Sequence, residues 1–160
     1  MTSRGVTLRR VGEGDHHGLE ALQVRENQRH LVADVATSLS QVAADPALTA
    51  FAVYDESQRG LPTPQGAPVG FAVTEVVASV GFILRLLIDA EHQGRGFGRA
   101  ALLELIRRLG LDPDLELIAT SHRHDNVVMA RLCGQLGFVP WATPFEPPEG
   151  EVYLCLPLGR

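Results

Sequence analysis

A glycine-rich segment, Gln93–Gly98, follows a long apolar run and precedes a helical pattern; we refer to it as the glycine loop. Three glycines within five residues remove side chains where a backbone must approach a ligand closely. The N–H groups at the start of the following helix would point toward this loop, and the helix dipole favours an anion there. Arg95 and Arg99 add positive charge. The pattern predicts a binding site for a phosphate or pyrophosphate group.

Three phosphate-binding patterns compete for the glycine loop. The P-loop requires a Gly-Lys-Ser/Thr sequence, and this chain has no lysine among its 14 basic residues, so that pattern is excluded. The dinucleotide pattern G-x-G-x-x-G matches poorly, because single residues separate the three glycines. Its acidic residue, expected about 20 residues later, would be Glu116, which lies within a predicted strand rather than at its end. The third pattern, Q/R-x-x-G-x-G/A after a buried strand, matches Gln93, Gly96 and Gly98.

The elements that would hold the glycine loop follow from the spacing of the apolar residues. Apolar runs predict seven β-strands, at Gly5–Val11, Thr49–Tyr54, Val69–Val77, Val80–Ile88, Leu115–Thr120, Phe138–Ala142 and Glu151–Leu156. Three- and four-residue apolar spacing predicts α-helices at Asp15–Val24, Gln28–Ala44, Arg99–Leu109 and Asp125–Leu136. The order β-α-α-β-β-β-α-β-α-β-β predicts an α/β fold with one mixed central sheet flanked by helices.

Length and composition restrict the class of protein. The 160 residues, of which 45% are hydrophobic and 21% charged, fit one domain over residues 1–160. A net charge of −5 without a basic stripe excludes nucleic-acid binding through bulk positive charge and favours cationic partners. No run approaches the roughly 20 apolar residues that span a membrane, and the N-terminus shows no export signal, so we expect a cytoplasmic protein with no membrane partner. Cys133 and Cys155 are then expected to be free thiols.

The glycine loop and a second motif resemble the GNAT family of N-acetyltransferases, which bind acetyl-coenzyme A. The family places an apolar strand before its Q/R-x-x-G-x-G/A motif, as the strand ending at Ile88 does here. Asn126, Leu132 and Gly137-Phe138 are similar to the family's N-x-x-A-x-x-L-Y-x-x-x-G-F helix and turn. The predicted order of elements agrees with the family along the whole chain. The resemblance implies a single GNAT-like domain that uses acetyl-coenzyme A as co-substrate and needs no metal.

Within the family, the chain is most similar to bacterial diamine and polyamine acetyltransferases. Arg85–Asp89 is similar to their R-L-M-I-D stretch, and Phe51–Tyr54 and Gly150–Val152 are similar to other parts of their sequences. This similarity implies acetyl transfer to a primary amine of a small molecule, with polyamines and diamines as the favoured acceptors. Alternatives are a protein N-terminus or an antibiotic amine as acceptor, a coenzyme-A-binding module without catalysis, or a nucleotide-binding regulator that uses the glycine loop. Dimers are common in the family, so a homodimer is a further expectation.

The resemblance also implies which residues contact the coenzyme. The backbone at the end of the strand before the glycine loop, at Leu86, Leu87 and Ile88, would pair with the pantetheine arm, and one of its N–H groups would polarise the thioester carbonyl. The pyrophosphate would lie on the amides of Gln93, Gly94, Arg95, Gly96, Phe97, Gly98 and Arg99. Asn126 would hold the pantetheine. Arg131 would either reach the phosphates or be a solvated helix arginine.

The chain departs from the family at the residue that protonates the leaving thiolate. Seven residues after Asn126 the family usually has a tyrosine, and this chain has Cys133. A thiol, with a reference pKa of about 8.5, can donate a proton, but an apolar stripe around Cys133 favours a packing role. For the base, Glu75 lies in an apolar strand, where burial would suit that role. Exposure of Glu75 to solvent is the favoured alternative, and a water held by the backbone could serve as the base instead.

The histidines show no metal-binding pattern. His122 and His124 flank Arg123, and His16 and His17 are adjacent. Neither pair has the H-E-x-x-H spacing or a neighbouring pair of cysteines that would indicate a zinc site. We therefore expect histidines that lie in loops and hold no metal.

Overall fold

The computed structural model describes residues 5–12, 18–19, 21–31, 34–58 and 67–160. In these ranges seven strands form one sheet in the order β1-β2-β3-β4-β5-β7-β6, in which β4 and β5 are parallel and the other neighbouring pairs are antiparallel. The strands are β1 (Val6–Arg10), β2 (Leu48–Asp55), β3 (Gly70–Val77), β4 (Val80–Ile88), β5 (Leu117–Arg123), β6 (Val139–Pro140) and β7 (Glu151–Pro157). The α-helices are α1 (Val35–Ala44), α2 (Phe97–Gly110) and α3 (Val127–Gln135), and 3₁₀ helices lie at Glu26–Leu31, Glu56–Gln58 and Ala90–His92. The predicted α/β class, with one mixed sheet flanked by helices, is confirmed.

The region before β2 differs from the prediction of two α-helices. The predicted helix at Asp15–Val24 lies partly outside the described residues, and its last four residues are not helical. The predicted helix at Gln28–Ala44 is wrong in its first half, where a short 3₁₀ helix precedes the start of α1 at Val35. The cause is a local cap: the Asp34 carboxylate accepts a hydrogen bond from the backbone N–H of Thr37 at 2.7 Å and begins a new helix.

Strands β4 and β5 separate halfway along β4. They pair from Val80 with Leu117 to Ile83 with Thr120, and the Thr120 hydroxyl donates a hydrogen bond to the Ile83 carbonyl at 2.9 Å. Beyond this point β4 pairs only with β3, and β5 only with β7, in the part of the chain that the structure describes. We call this divergence the fork. It leaves one backbone edge of β4, over Leu84–Ile88, without a strand partner.

A β-bulge on β4 lies at the fork. Val73 and Thr74 are consecutive on β3, yet they face Arg85 and Ile83, so Leu84 is an extra residue on β4. A bulge bends its strand and increases the local twist. The bend therefore coincides with the place where β4 stops pairing with β5.

Apolar clusters cover both faces of the sheet. One cluster, with Phe97, Leu102 and Ile118 among its members, lies between the sheet and helices α2 and α3. The other, which includes Leu39 and Phe71, lies between the sheet and α1. Strand β4 contributes side chains to both clusters. Its nearly continuous apolar sequence is what a strand buried on both faces requires.

Replacing Thr120 with Val should lower the free energy of unfolding by roughly 1–3 kcal/mol, because the Ile83 carbonyl loses a buried donor while the side-chain shape is kept. Urea denaturation measures the change. Thr49→Val on β2 is the matched control, since Thr49 is only half-buried and lies away from the fork. Equal losses from the two substitutions would contradict a specific role for the Thr120 hydroxyl.

Candidate functional site

The glycine loop connects the end of β4 to α2. Gly94 and Gly96 adopt positive φ values of 78° and 88°, a region in which side chains are strained, and this explains glycine at both positions. Gly96 caps α2, whose first turn contains no acidic residue, so its N–H groups and its dipole present positive potential to the loop. A Cβ atom at either glycine would meet no heavy atom within 4 Å, so both glycines face open space. The predicted anion site therefore has the required backbone geometry.

The Gln93 side chain braces the glycine loop against β4. Its Nε2 atom donates to the Ile88 carbonyl and to Gln28 Oε1, each at 2.9 Å. Gln28 Oε1 also accepts from the backbone N–H of Arg25 at 3.1 Å. The glutamine of the motif thus joins the last residue of β4 to the 3₁₀ helix at Glu26–Leu31.

A cavity of about 520 Å³ lies where the fork, the glycine loop and α3 meet; we call it the larger cavity. Eleven of the twelve residues that the family resemblance assigns to the coenzyme line it, namely Leu86, Leu87, Ile88, Gln93, Gly94, Gly96, Phe97, Gly98, Arg99, Asn126 and Arg131. The exception is Arg95, whose side chain is exposed and does not line the cavity. One wall of the larger cavity is the unpaired edge of β4, which can hydrogen-bond to an extended ligand.

Polar groups lie at defined places around the larger cavity. Asn126 is the N-cap of α3, and its Oδ1 atom accepts from the backbone N–H of Met129 at 3.2 Å, which leaves its NH₂ group to donate. The guanidinium groups of Arg99 and Arg131 are on exposed residues that line the cavity. The rim is therefore positive, as an anionic ligand requires.

A second cavity of about 240 Å³, the smaller cavity, is lined by both strands of the fork. It shares Leu86, Asn126 and Met129 with the larger cavity, so the two meet at the fork. Its other lining residues come from β4, β5 and β7, and the titratable ones among them are Arg85, His122, Arg123 and Glu151. A ligand in each cavity would therefore meet the other ligand at the fork.

His122 is the residue that the sequence analysis missed. It was expected in a loop, but it lies on β5, its side chain is only 7% exposed, and it lines the smaller cavity. Its Nδ1 atom is 2.8 Å from the Arg123 carbonyl. Because a carbonyl only accepts, this hydrogen bond requires a proton on Nδ1, and the tautomer with the proton there has an unprotonated Nε2 that can accept a proton. The signal in the sequence was the alternation of β5, which continues past Thr120 to Arg123.

Arg85 and Arg123 both place polar atoms in buried surroundings. Arg85 Nη1 is buried and has no hydrogen-bond partner, and desolvation lowers the pKa of this guanidinium from its usual value. Arg123 Nε also lacks a hydrogen-bond partner, but Asp125 Oδ1 lies 3.8 Å away and compensates part of its charge. Arg85 is therefore the less compensated of the two cations in the smaller cavity.

The two residues considered for acid and base lie away from both cavities. Cys133 is fully buried in the cluster under α2 and α3 and lines neither cavity, and burial raises the pKa of its thiol to about 11. Glu75 lies near the far end of β3, opposite Leu48 and Phe82, and it also lines neither cavity. Neither side chain lies at the fork, so neither can contact a group that reacts there.

The described residues contain neither a metal-binding cluster nor a membrane-spanning helix. In these residues no group of three or more His, Cys, Asp or Glu side chains is placed to hold a metal ion. Across the same ranges, none of the helices has both the length and the apolar character that crossing a bilayer requires.

Comparison with known proteins gives one family and many similar structures. The model of the Acetyltransferase (GNAT) family matches residues 18–138. None of the curated proteins matches the sequence.

Three of the similar structures have different named acceptors. The aminoglycoside acetyltransferase AAC(6')-Ib in complex with coenzyme A has a TM-score of 0.72 at 22% identity, with 96% of this chain and 95% of that chain covered. The ribosomal-protein-S18-alanine N-acetyltransferase from Escherichia coli has a TM-score of 0.69 at 18% identity, with coverage of 97% and 95%. The spermidine N-acetyltransferase from Vibrio cholerae in complex with coenzyme A and spermine has a TM-score of 0.66 at 18% identity, with coverage of 94% and 92%. These chains share the fold.

We predict that Cys133→Ala lowers the free energy of unfolding by roughly 1–2 kcal/mol at neutral pH, because a fully buried sulfur is lost. The folded-state pKa of about 11 is above the reference value of 9.0, so the neutral thiol is favoured in the folded state. Its stabilising effect is complete below about pH 9 and is lost as the pH rises toward 11. The difference between wild type and variant should therefore shrink over that range in denaturation at several pH values. A difference that does not vary with pH would contradict the buried-thiol description.

Proposed function

Because the chain belongs to the GNAT family of acetyltransferases, we propose that it transfers the acetyl group of acetyl-coenzyme A to a primary amine of a small molecule. The observation that carries this proposal is the larger cavity. It combines an unpaired strand edge with the positive start of α2, and it has room for an extended ligand that carries phosphates. We propose that residues 1–160 act as a single catalytic domain.

Different residues that line the larger cavity suit different parts of the coenzyme. The amides of the pantetheine arm can pair with the backbone of β4 at Leu86–Ile88, as an added strand would. The pyrophosphate suits the N–H groups at the start of α2, with Arg99 and Arg131 at the rim. The free NH₂ group of Asn126 can donate to a pantetheine carbonyl.

We propose that acetyl transfer is direct and takes place at the fork. The acceptor ammonium first gives a proton to solvent, because an ammonium has no lone pair. The neutral nitrogen then attacks the thioester carbonyl, so that a C–N bond forms and the C–S bond breaks. A backbone N–H of β4 can stabilise the oxygen of the tetrahedral intermediate. The products are an amide, free coenzyme A thiol and one released proton.

His122 is the group that we propose for the second proton of the amine. It lines the smaller cavity, and its Nε2 is the ring nitrogen left to accept a proton. The imidazolium so formed can return this proton to the departing thiolate, which balances the reaction. We assign Cys133 to packing rather than to acid catalysis, because it is buried outside both cavities. For the same reason we do not assign the base to Glu75.

The acceptor is the open part of this proposal. Sequence similarity favours polyamines and diamines, and a net charge of −5 is compatible with cationic acceptors. The similar structures carry names with spermidine, aminoglycoside and protein acceptors, so they do not select among these classes.

We expect acetyl-coenzyme A to raise the melting temperature, whereas NAD and ATP should not, because the larger cavity fits an extended thioester arm. Differential scanning fluorimetry measures this, and thiol release from acetyl-coenzyme A measures turnover across a panel of amines.

Gly96→Leu should remove the stabilisation by acetyl-coenzyme A, since the leucine side chain would enter the space in front of the glycine loop. Gly159→Leu is the matched control, because Gly159 also has a positive φ and faces open space but lines neither cavity. Stabilisation by NAD alone would overturn the proposal.

His122→Asn should lower kcat by about 10²–10⁴-fold, the usual contribution of a positioned acid–base group, and leave the KM for acetyl-coenzyme A unchanged. His124→Asn is the control, since this neighbouring histidine is exposed and lines neither cavity. A kcat that is the same in both variants would show that solvent, rather than His122, takes the proton.

A further inference from the structure

The smaller cavity differs in charge from a site for a polyamine. We infer that it holds the acceptor and that the acceptor carries an oxyanion, a carboxylate or a phosphonate, which binds Arg85. This inference rests on the proposed function, because the acceptor amine must reach the thioester at the fork.

Among the described residues that line the smaller cavity, Arg85 is the cation without an ion-pair partner. It lines the smaller cavity, its Nη1 atom is buried without a hydrogen-bond partner, and no ion pair to it occurs in the described part of the chain. An uncompensated charge in partly buried surroundings is costly, and a ligand that supplies the counter-charge would remove part of this cost. The guanidinium is still protonated at neutral pH, despite its lowered pKa, because arginine does not lose its proton in proteins.

The register places Arg85 on the face of the sheet that α1 covers. It lies opposite Val73, a member of the apolar cluster on that face, and directly opposed residues of an antiparallel pair share a face. Arg123 and Glu151 are also directly opposed, so they too share a face. Ile118 belongs to the cluster under α2 and α3, and alternation along β5 therefore places Arg123 on the same side as Arg85. The cationic side chains thus lie on the side of the sheet away from α2 and α3.

The charges of the smaller cavity disfavour a polyamine. Glu151 is the one carboxylate among the described residues that line it, whereas a polyamine brings two or more ammonium groups and would lie beside an unpaired guanidinium. A carboxylate or phosphonate instead matches the planar guanidinium group, which can donate two parallel hydrogen bonds to such an anion. Glu151 then remains to pair with the ammonium of the acceptor before it loses its proton.

The size of the smaller cavity limits the acceptor. Its volume of about 240 Å³ is below the roughly 300–1,000 Å³ of pockets for drug-sized ligands, which indicates a small acceptor. It shares Leu86, Asn126 and Met129 with the larger cavity, so an amine beside these residues is at the thioester while its anionic end extends toward Arg85. The acceptor class that meets both conditions is a small amino acid or an aminoalkylphosphonate.

The test compares four amines with a short carbon chain and different second groups: β-alanine, aminoethylphosphonate, propylamine and diaminopropane. A set of α-amino acids and spermidine extends the comparison. Thiol release by the whole chain at saturating acetyl-coenzyme A gives kcat/KM for each amine, and calorimetry gives its binding to the protein with coenzyme A. We expect kcat/KM for the best anionic amines to exceed kcat/KM for propylamine and for diaminopropane by about tenfold or more. The carboxylate and phosphonate arms show which oxyanion is preferred.

Substitution of Arg85 tests the assignment directly. Arg85→Gln should lower kcat/KM for the preferred anionic amine by about 10- to 100-fold, through KM, and leave the KM for acetyl-coenzyme A unchanged. Arg85→Lys keeps the positive charge but loses the planar guanidinium, so its kcat/KM for this amine should lie between those of the wild type and Arg85→Gln. Arg107→Gln is the matched control, because Arg107 is on the exposed side of α2, paired with Glu104, and lines neither cavity. Stabilisation by acetyl-coenzyme A shows that each variant is folded.

The outcomes separate this inference from the proposed function. Preference of the wild type for diamines or spermidine, with normal stabilisation by acetyl-coenzyme A, would overturn the inference alone. An unchanged amine preference in Arg85→Gln, or no binding of any anionic amine to the coenzyme A complex, would also overturn it. Absence of both stabilisation by acetyl-coenzyme A and thiol release with every amine would instead overturn the proposed function.

Discussion

The separation of β4 from β5 is the constraint on which the rest of the site depends. Parallel strands that are buried on both faces normally pair along their length, because an unpaired backbone N–H or carbonyl in that setting costs free energy. Here pairing ends at Ile83 and Thr120, a hydroxyl satisfies the last carbonyl, and a bulge bends the strand beyond it. The edge that this exposes needs a partner. An extended chain of amides between the two strands would supply one without adding another protein strand.

The two cavities differ in how far solvent reaches their arginine side chains. The larger one has the start of α2 and exposed arginines at its rim, where solvent screens the guanidinium groups and a flexible anionic ligand can reach them. The smaller one contains Arg85, with a buried nitrogen that has no hydrogen-bond partner among the described residues. All 14 basic residues of the chain are arginine. Codon use in a GC-rich genome would account for this, and so would selection against lysine amines that an acyl donor could modify. In either case, the planar guanidinium group of arginine binds phosphates and carboxylates with better geometry than an ammonium group does.

Sequence reasoning succeeded where one element determines the result. The glycine loop, the strand before it and the helix after it follow from local glycine and apolar patterns, and the structure brings nearly all the associated residues to one cavity. Sequence reasoning failed where a capping residue or a partner strand determines the bounds of an element. The Asp34 cap divides a continuous apolar pattern, and β7 extends β5 as far as Arg123, which moves His122 from an expected loop into a buried strand. Cys133 was ambiguous for a similar reason, because its apolar stripe is visible in the sequence but its distance from the fork is not.

Under the proposed function, donor and acceptor would not be recognised independently where the cavities meet. Asn126 lines both of them, and its Oδ1 atom already caps α3, so the helix fixes this side chain before any ligand arrives. A group held in this way loses little further rotamer freedom when it donates to a ligand. Leu86 and Met129 complete the shared wall with apolar surface, which would disfavour water between two bound ligands. The cap that begins α3 therefore also sets the position at which an amine and a thioester would meet.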